Sequence, residues 1–175
     1  MLEILKDHPK DQPIPAISLQ QPWAGAVAWL GKDVENRSSW TSKYRGPILI
    51  HASAAEPTPK DFAALRVIAA EDGFEPELVA ELDPASEGFV AEVWERGAII
   101  AVAQLADVFG PDDTVEEDHP MAGSPWAQDD AEYWLYFSDV VQIEPIPHEG
   151  AEGLFEVPYE VAGAFEELII EEDEE

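Results

Sequence analysis

Apolar residues along the chain fall into short continuous runs and into stripes with helical spacing. Continuous runs at residues 15–19, 47–52 and 98–108 are typical of strands that neighbouring elements cover on both faces. A Thr-Pro-x-Asp sequence beginning at Thr58 predicts a capped helix, because the acid stands three residues after the cap. Strands interleaved with helices, without the regular spacing of βαβ units, predict an α+β fold around a small barrel.

The same patterns predict the remaining elements. A helix is predicted at residues 22–31 and another at residues 83–97, each with an apolar stripe and a glycine at its end. Residues 133–137 and 140–146 predict a pair of strands, and the acidic residues 110–130 predict a long loop. The other predicted features are Val34 facing the core from an extended segment, a short strand at 153–157 and a last helix after Pro158.

The length of 175 residues is typical of one domain. We expect an arm at residues 1–14, a single domain at residues 15–165 and a disordered acidic tail at residues 166–175. The absence of cysteine excludes disulfides and thiolate zinc sites. No basic leader and no apolar run of about 18 residues is present, which predicts a cytoplasmic protein without membrane contact.

Charge is distributed unevenly along the chain. Thirty-eight acidic and nine basic residues give a formal net charge of −29. Residues 1–53 hold six basic and five acidic side chains, whereas the rest holds three basic and 33 acidic ones. This pattern indicates an acidic body with one local cationic surface. The acidity itself has two interpretations, a solvated surface suited to high salt and a DNA-like face that binds a protein partner.

Basic and aromatic residues are interleaved between residues 23 and 51, a pattern that suits single-stranded nucleic acid or a single base. Cations neutralise phosphate, and a ring stacked on a base contributes about 1–3 kcal/mol. Glu35 would repel phosphate, so we expect it to accept from a base amino group or to orient Arg37. The cations are Lys32, Arg37, Lys43, Arg45 and His51, and the rings are Trp23, Trp40 and Tyr44.

Several of these residues also fit a purely structural role. Trp23 falls on the apolar stripe of a helix and fits a core position. Glu35 and Arg37 can pair with each other at a surface. His51 lies in a run of Ile and Leu and fits a buried, hydrogen-bonded histidine. The four histidines show no paired ligand spacing, so no metal site and no cofactor is predicted.

The order of these motifs resembles the ASCH family, named for homology to activating signal cointegrator 1. The similar stretches are Ser18-Leu19-Gln20-Gln21-Pro22-Trp23-Ala24, the Lys-x-x-Glu-x-Arg of residues 32–37, Trp40, Arg45-Gly46 before a buried strand that ends at His51-Ala52-Ser53, the Ser124-Pro125-Trp126 turn and Gly153-Leu154-Phe155. The resemblance covers about residues 15–160 and implies a PUA-like small β-barrel with flanking helices. This chain departs in having Leu30 where the usual spacing expects glycine and a second serine before Trp40.

The resemblance also implies a function. Some family members look like RNA- or DNA-binding modules, and others remove an acyl group from modified cytidine with a lysine, a threonine and a glutamate. Lys32 matches that lysine, but Glu35 stands at the threonine position. We therefore expect a module that binds RNA, single-stranded nucleic acid or a nucleotide. The alternative is an enzyme that uses Lys32 and Glu35, either a hydrolase of N-acylated cytidine or a ribonuclease. The expected binding residues are Lys32, Glu35, Arg37, Trp40, Lys43, Tyr44, Arg45, His51, Ser53 and Trp126.

Overall fold

The computed structural model describes residues 3–163 and contains one six-stranded mixed sheet. The strands in chain order are β1 (Ile14–Leu19), β2 (Val34–Arg37), β3 (Gly46–Ala52), β4 (Ala98–Phe109), β5 (Tyr133–Pro147) and β6 (Leu154–Val157). Their spatial order is β2-β5-β4-β3-β1-β6. β1 and β3 are parallel, and every other neighbouring pair is antiparallel. The predicted α+β class is confirmed.

Four helices flank this sheet in the described residues: α1 (Trp23–Trp29), α2 (Pro59–Glu71), α3 (Pro76–Glu81) and α4 (Tyr159–Gly163). The predicted cap of α2 is present, since Thr58 Oγ1 accepts from the Asp61 amide and the Asp61 carboxylate accepts from the Thr58 amide. None of the helices in residues 3–163 has the length and apolar character needed to cross a membrane.

The sheet is buried on both faces, which explains why β1, β3 and β4 are continuous apolar runs. Ile48 and Ile50 of β3 pack with α1 on one face, whereas Leu49 points to the other. Leu5, in the segment predicted as an arm, is 4% exposed and covers that second face. A third core lies between α2 and Trp126.

Two predicted elements differ from the structure. The helix predicted at residues 83–97 is wrong. The helix α3 lies earlier, at Pro76–Glu81, residues 82–88 form turns and bends, and a 3₁₀ turn follows at Ala91–Trp94. The Asp83 carboxylate accepts from the Ala85 amide at 2.9 Å, which stabilises a turn in place of a helix. The strand pair predicted at residues 133–146 is one strand, β5, because register shifts in its pairing with β4 absorb the polar break. The predicted acidic tail lies outside the described residues.

Candidate functional site

A cleft of about 780 Å³ opens beside the sheet. Ser18 and Leu19 of β1, Glu35 and Arg37 of β2, and Leu154 of β6 all line it. Because β2 and β6 are the two edges of the sheet, the sheet must curve until both edges reach the same hollow. The sheet is not closed by pairing between its edges, and this open arrangement does not conflict with the predicted barrel-like fold. Trp23 of α1, one of the rings predicted from the sequence, also lines it, and the other lining residues are Gln20, residues 39–42, Ser53, Ala55 and residues 151–153.

Lys32 lies behind the wall of this cleft and is 2% exposed. Gly31, with a φ of +71°, turns the chain at the end of α1 so that the lysine points inward. The Lys32 ammonium donates to Val34 O at 2.5 Å and to Glu35 Oε2 at 2.7 Å. A buried ammonium needs such partners, because water cannot solvate it. Lys32 therefore fixes the Glu35 carboxylate in place.

Glu35 lies between two hollows. It lines the large cleft and also a smaller cavity of about 140 Å³, where Lys32 and Trp126 are among its neighbours. Its Oε2 atom is bound to Lys32, and Oε1 accepts no hydrogen bond from residues 3–163. This leaves one carboxylate oxygen available to a ligand.

Arg37 and Trp40 form a charged and aromatic pair on the cleft wall. The guanidinium carbon of Arg37 lies 5.8 Å from the centre of the Trp40 ring, within the range of a cation–π contact. The indole N–H of Trp40 is buried and has no hydrogen-bond partner in the described residues. Arg37 is the only cationic side chain among the residues of the described chain that line the cleft.

Trp126 lines the smaller cavity and does not reach the large cleft. Its indole N–H donates to Asp72 Oδ2 at 3.1 Å, and its backbone carbonyl accepts from Nδ2 of the Asn36 side chain at 2.8 Å. Ser124 of the same turn donates to Asp33 at 2.6 Å. These bonds attach the acidic loop to β2, to Asp33 just before it and to the end of α2, beside the smaller cavity.

Lys43, Tyr44 and Arg45 lie next to the cleft in the chain but do not line it. The Tyr44 hydroxyl donates to Pro47 O at 2.6 Å, and burial raises the pKa of this hydroxyl. Arg45 donates to the Tyr44 carbonyl at 2.8 Å and is exposed, as is Lys43. These three predicted binding residues are therefore not among those that line the cleft with Arg37 and Trp40.

His51 is 1% exposed, and both of its ring nitrogens are engaged. Nδ1 lies 2.9 Å from Ser18 Oγ, and Nε2 lies 2.6 Å from the backbone oxygen of His148. Burial lowers the pKa of His51, which favours the neutral ring. This geometry matches the interpretation of His51 as a buried, hydrogen-bonded histidine, whereas Ser53 lines the cleft.

Several lining residues were not predicted from the sequence, among them Ser18 and Glu152. Ser18 could have been found, because it pairs in register with His51 across parallel strands β1 and β3. Glu152 gave no signal within a strongly acidic chain. In residues 3–163, no cluster of three or more His, Asp or Glu side chains could hold a metal ion.

Among the solved structures to which the chain is similar are two crystal structures from Zymomonas mobilis, one of ASCH and one of a serine-to-alanine mutant of ASCH. They are 15% and 14% identical to this chain, cover 91% of it and 97% and 99% of their own chains, and both give a TM-score of 0.48. No protein-family model matches the chain, and no curated protein matches it.

Proposed function

We propose that the cleft binds one nucleotide unit, either free or as an exposed base of a single strand. The observation that carries this proposal is the Arg37–Trp40 pair, in which a phosphate-binding cation and a stacking face lie on one wall. Glu35 is held in place by the buried Lys32, and its Oε1 atom can accept a hydrogen bond from an N–H group of a base. The volume of about 780 Å³ lies within the ordinary range of small-ligand sites, about 300–1,000 Å³.

The charges favour one nucleotide over a long strand bound throughout its length. Arg37 is the cation that reaches the cleft, whereas Lys32 is already paired with Glu35. The remainder of the chain is strongly acidic and would repel a polyphosphate. Lys43 and Arg45 are exposed and follow the last cleft residue of this loop, Ser42. A nucleic-acid strand that extends out of the cleft could contact them, whereas a mononucleotide inside the cleft would not.

The test is a titration of mononucleotides and short single-stranded oligonucleotides with the wild type and with Arg37→Met and Trp40→Leu. Each substitution should weaken mononucleotide binding by about tenfold or more, since each removes one of the two main contacts. For wild type, mononucleotide affinity should fall only shallowly as salt rises, because a single ion pair is screened and no condensed counterions are released. Lys43→Ala combined with Arg45→Ala is the matched control for lost positive charge.

Each result separates two models. Unchanged mononucleotide affinity in the double control, with weaker oligonucleotide binding, supports a strand that leaves the cleft across these two residues. Unchanged affinity in Arg37→Met and Trp40→Leu would refute the proposed site. A slope corresponding to several phosphates would replace the single-unit model with binding along a strand.

Hydrolysis at the same site is the second candidate. Lys32 and Glu35 are adjacent, with 2.7 Å between Nζ and Oε2, and Glu35 reaches the cleft. The Lys32 ammonium is bound by two acceptors, however, and this arrangement favours a structural role over attack on a substrate. Incubation with N4-acylcytidine and with labelled RNA distinguishes the two, because turnover that is lost in Glu35→Gln would establish the hydrolase.

A further inference from the structure

Among the hydroxyl groups that line the cleft, Ser18 is the one whose hydrogen position follows from its neighbours. The hydrogen-bond partners of His51 determine it. The backbone oxygen of His148 can only accept, so His51 Nε2, 2.6 Å away, carries the ring hydrogen. The buried ring is neutral, so Nδ1 has a lone pair and accepts from Ser18 Oγ at 2.9 Å. Ser18 lines the cleft, and its Oγ atom can therefore only accept a hydrogen bond from a ligand there.

The backbone of Gly150 closes over this hydrogen bond. A Cβ atom at position 150 would lie 2.9 Å from both Ser18 Oγ and His51 Nδ1, and 2.8 Å from His51 Cε1. Such distances are too short for carbon, so any side chain at this position would displace the Ser18–His51 pair. Glycine here allows the loop after β5 to cover the pair without disturbing it.

Other cleft hydroxyls do not share this restriction. Ser53 Oγ accepts from the Ala55 amide at 3.1 Å, so its hydrogen is available to donate to a ligand. Glu35 Oε1 resembles Ser18, because it can only accept and no described residue donates to it. The cleft thus offers two acceptors of fixed polarity, Ser18 Oγ and Glu35 Oε1.

We infer that Ser18, together with Glu35, selects a nucleobase that carries an exocyclic amino group. This inference rests on the proposed function of the same cleft. An amino group of cytosine or adenine supplies two N–H donors, whereas uracil supplies one N–H and otherwise presents oxygen acceptors. A carbonyl oxygen placed against either protein acceptor would leave two lone-pair atoms facing each other without a hydrogen, which costs affinity.

The first test uses the wild-type protein and changes the ligand. Affinities for CMP, UMP and N4,N4-dimethyl-CMP are measured by calorimetry at one salt concentration. We expect CMP to bind at least about tenfold more tightly than UMP, and the dimethyl analogue to lose the same factor because it has no amino hydrogen. AMP against IMP repeats the comparison with purines.

The second test changes the protein. Ser18→Ala should weaken CMP binding about tenfold and leave UMP binding within twofold, which removes the preference. Gly150→Ala should do the same by displacing the hydroxyl, and Ser138→Ala, at an exposed serine that does not line the cleft, should keep the preference. Urea unfolding confirms that each variant is folded.

The outcomes distinguish the two proposals. If no nucleotide binds the wild type, the proposed function fails and this inference fails with it. If CMP, UMP and the dimethyl analogue bind equally, or if Ser18→Ala weakens CMP and UMP by the same factor, the cleft still binds nucleotides but selection by Ser18 is refuted.

Discussion

At the scale of single residues, the neutral ring of His51 links folding to pH. Burial lowers its pKa in the folded protein, whereas the unfolded chain has the ordinary value of about 6.5. Above pH 6.5 the ring is neutral in both states. As pH falls below 6.5, the unfolded chain binds a proton first, so the free energy of unfolding decreases until the folded pKa is reached.

We predict that replacing His51 with a side chain that does not titrate removes its contribution to the pH dependence of the unfolding free energy. His51→Gln keeps a side-chain amide that can donate to the His148 oxygen but does not titrate. The difference in unfolding free energy between wild type and variant should therefore change by up to about 1.4 kcal/mol per pH unit below pH 6.5 and stay constant above it. Urea unfolding between pH 5 and 8 measures this difference, and parallel curves would contradict the assignment.

At the scale of elements, α1 holds the Lys32 turn against the sheet, and Gly25 determines how closely it packs. The Gln21 side chain accepts from the Gly25 amide at 2.8 Å and donates to the Glu95 carbonyl at 2.8 Å, which joins α1 to the segment carrying Trp94. A Cβ at position 25 would lie 2.5 Å from the Trp94 ring. Trp94 is 8% exposed and packs on Phe62, so it has little room to move.

Gly25→Ala should therefore destabilise the fold, although the same change in an ordinary helix stabilises it by about 1 kcal/mol. Overpacking against the indole should lower the unfolding free energy by about 1–3 kcal/mol. Combining it with Trp94→Leu removes the clash, so the two effects should not add. Urea unfolding of both single variants and the pair completes the cycle, and a stabilised Gly25→Ala would overturn this packing.

Local pattern predicted elements well where one physical signal dominates. The capping box at Thr58 and the inward Val34 need only neighbours in the chain, and both are confirmed. The helix expected from Asp83 failed because an apolar stripe does not show that the aromatic residues pack on each other across a bend. Burial of Lys32 was equally hidden, since it depends on a carbonyl and a carboxylate that only the folded turn brings together.

At the scale of the whole molecule, acidic side chains far outnumber the basic side chains that could pair with them. The formal net charge is −29, and residues 3–163 contain three ion pairs of lysine or arginine with a carboxylate, of which Lys32–Glu35 is the buried one. Repulsion among the carboxylates opposes compaction. Added salt screens this repulsion, because the Debye length falls from about 30 Å at 0.01 M to 3 Å at 1 M.

We predict that NaCl acts in opposite directions on the fold and on the cleft. The urea midpoint at pH 8 should rise between 0.01 and 1 M NaCl, because few exposed ion pairs are present to be weakened in the described chain. Nucleotide affinity should fall over the same range, because Arg37 attracts the phosphate and lies in the cleft. Repeating both titrations with Arg37→Met separates them: the midpoint should still rise, and the remaining affinity should no longer fall with salt, because only repulsion from the carboxylates is left to be screened. A wild-type midpoint that falls with salt would mean that attraction, and not repulsion, dominates the charges of this molecule.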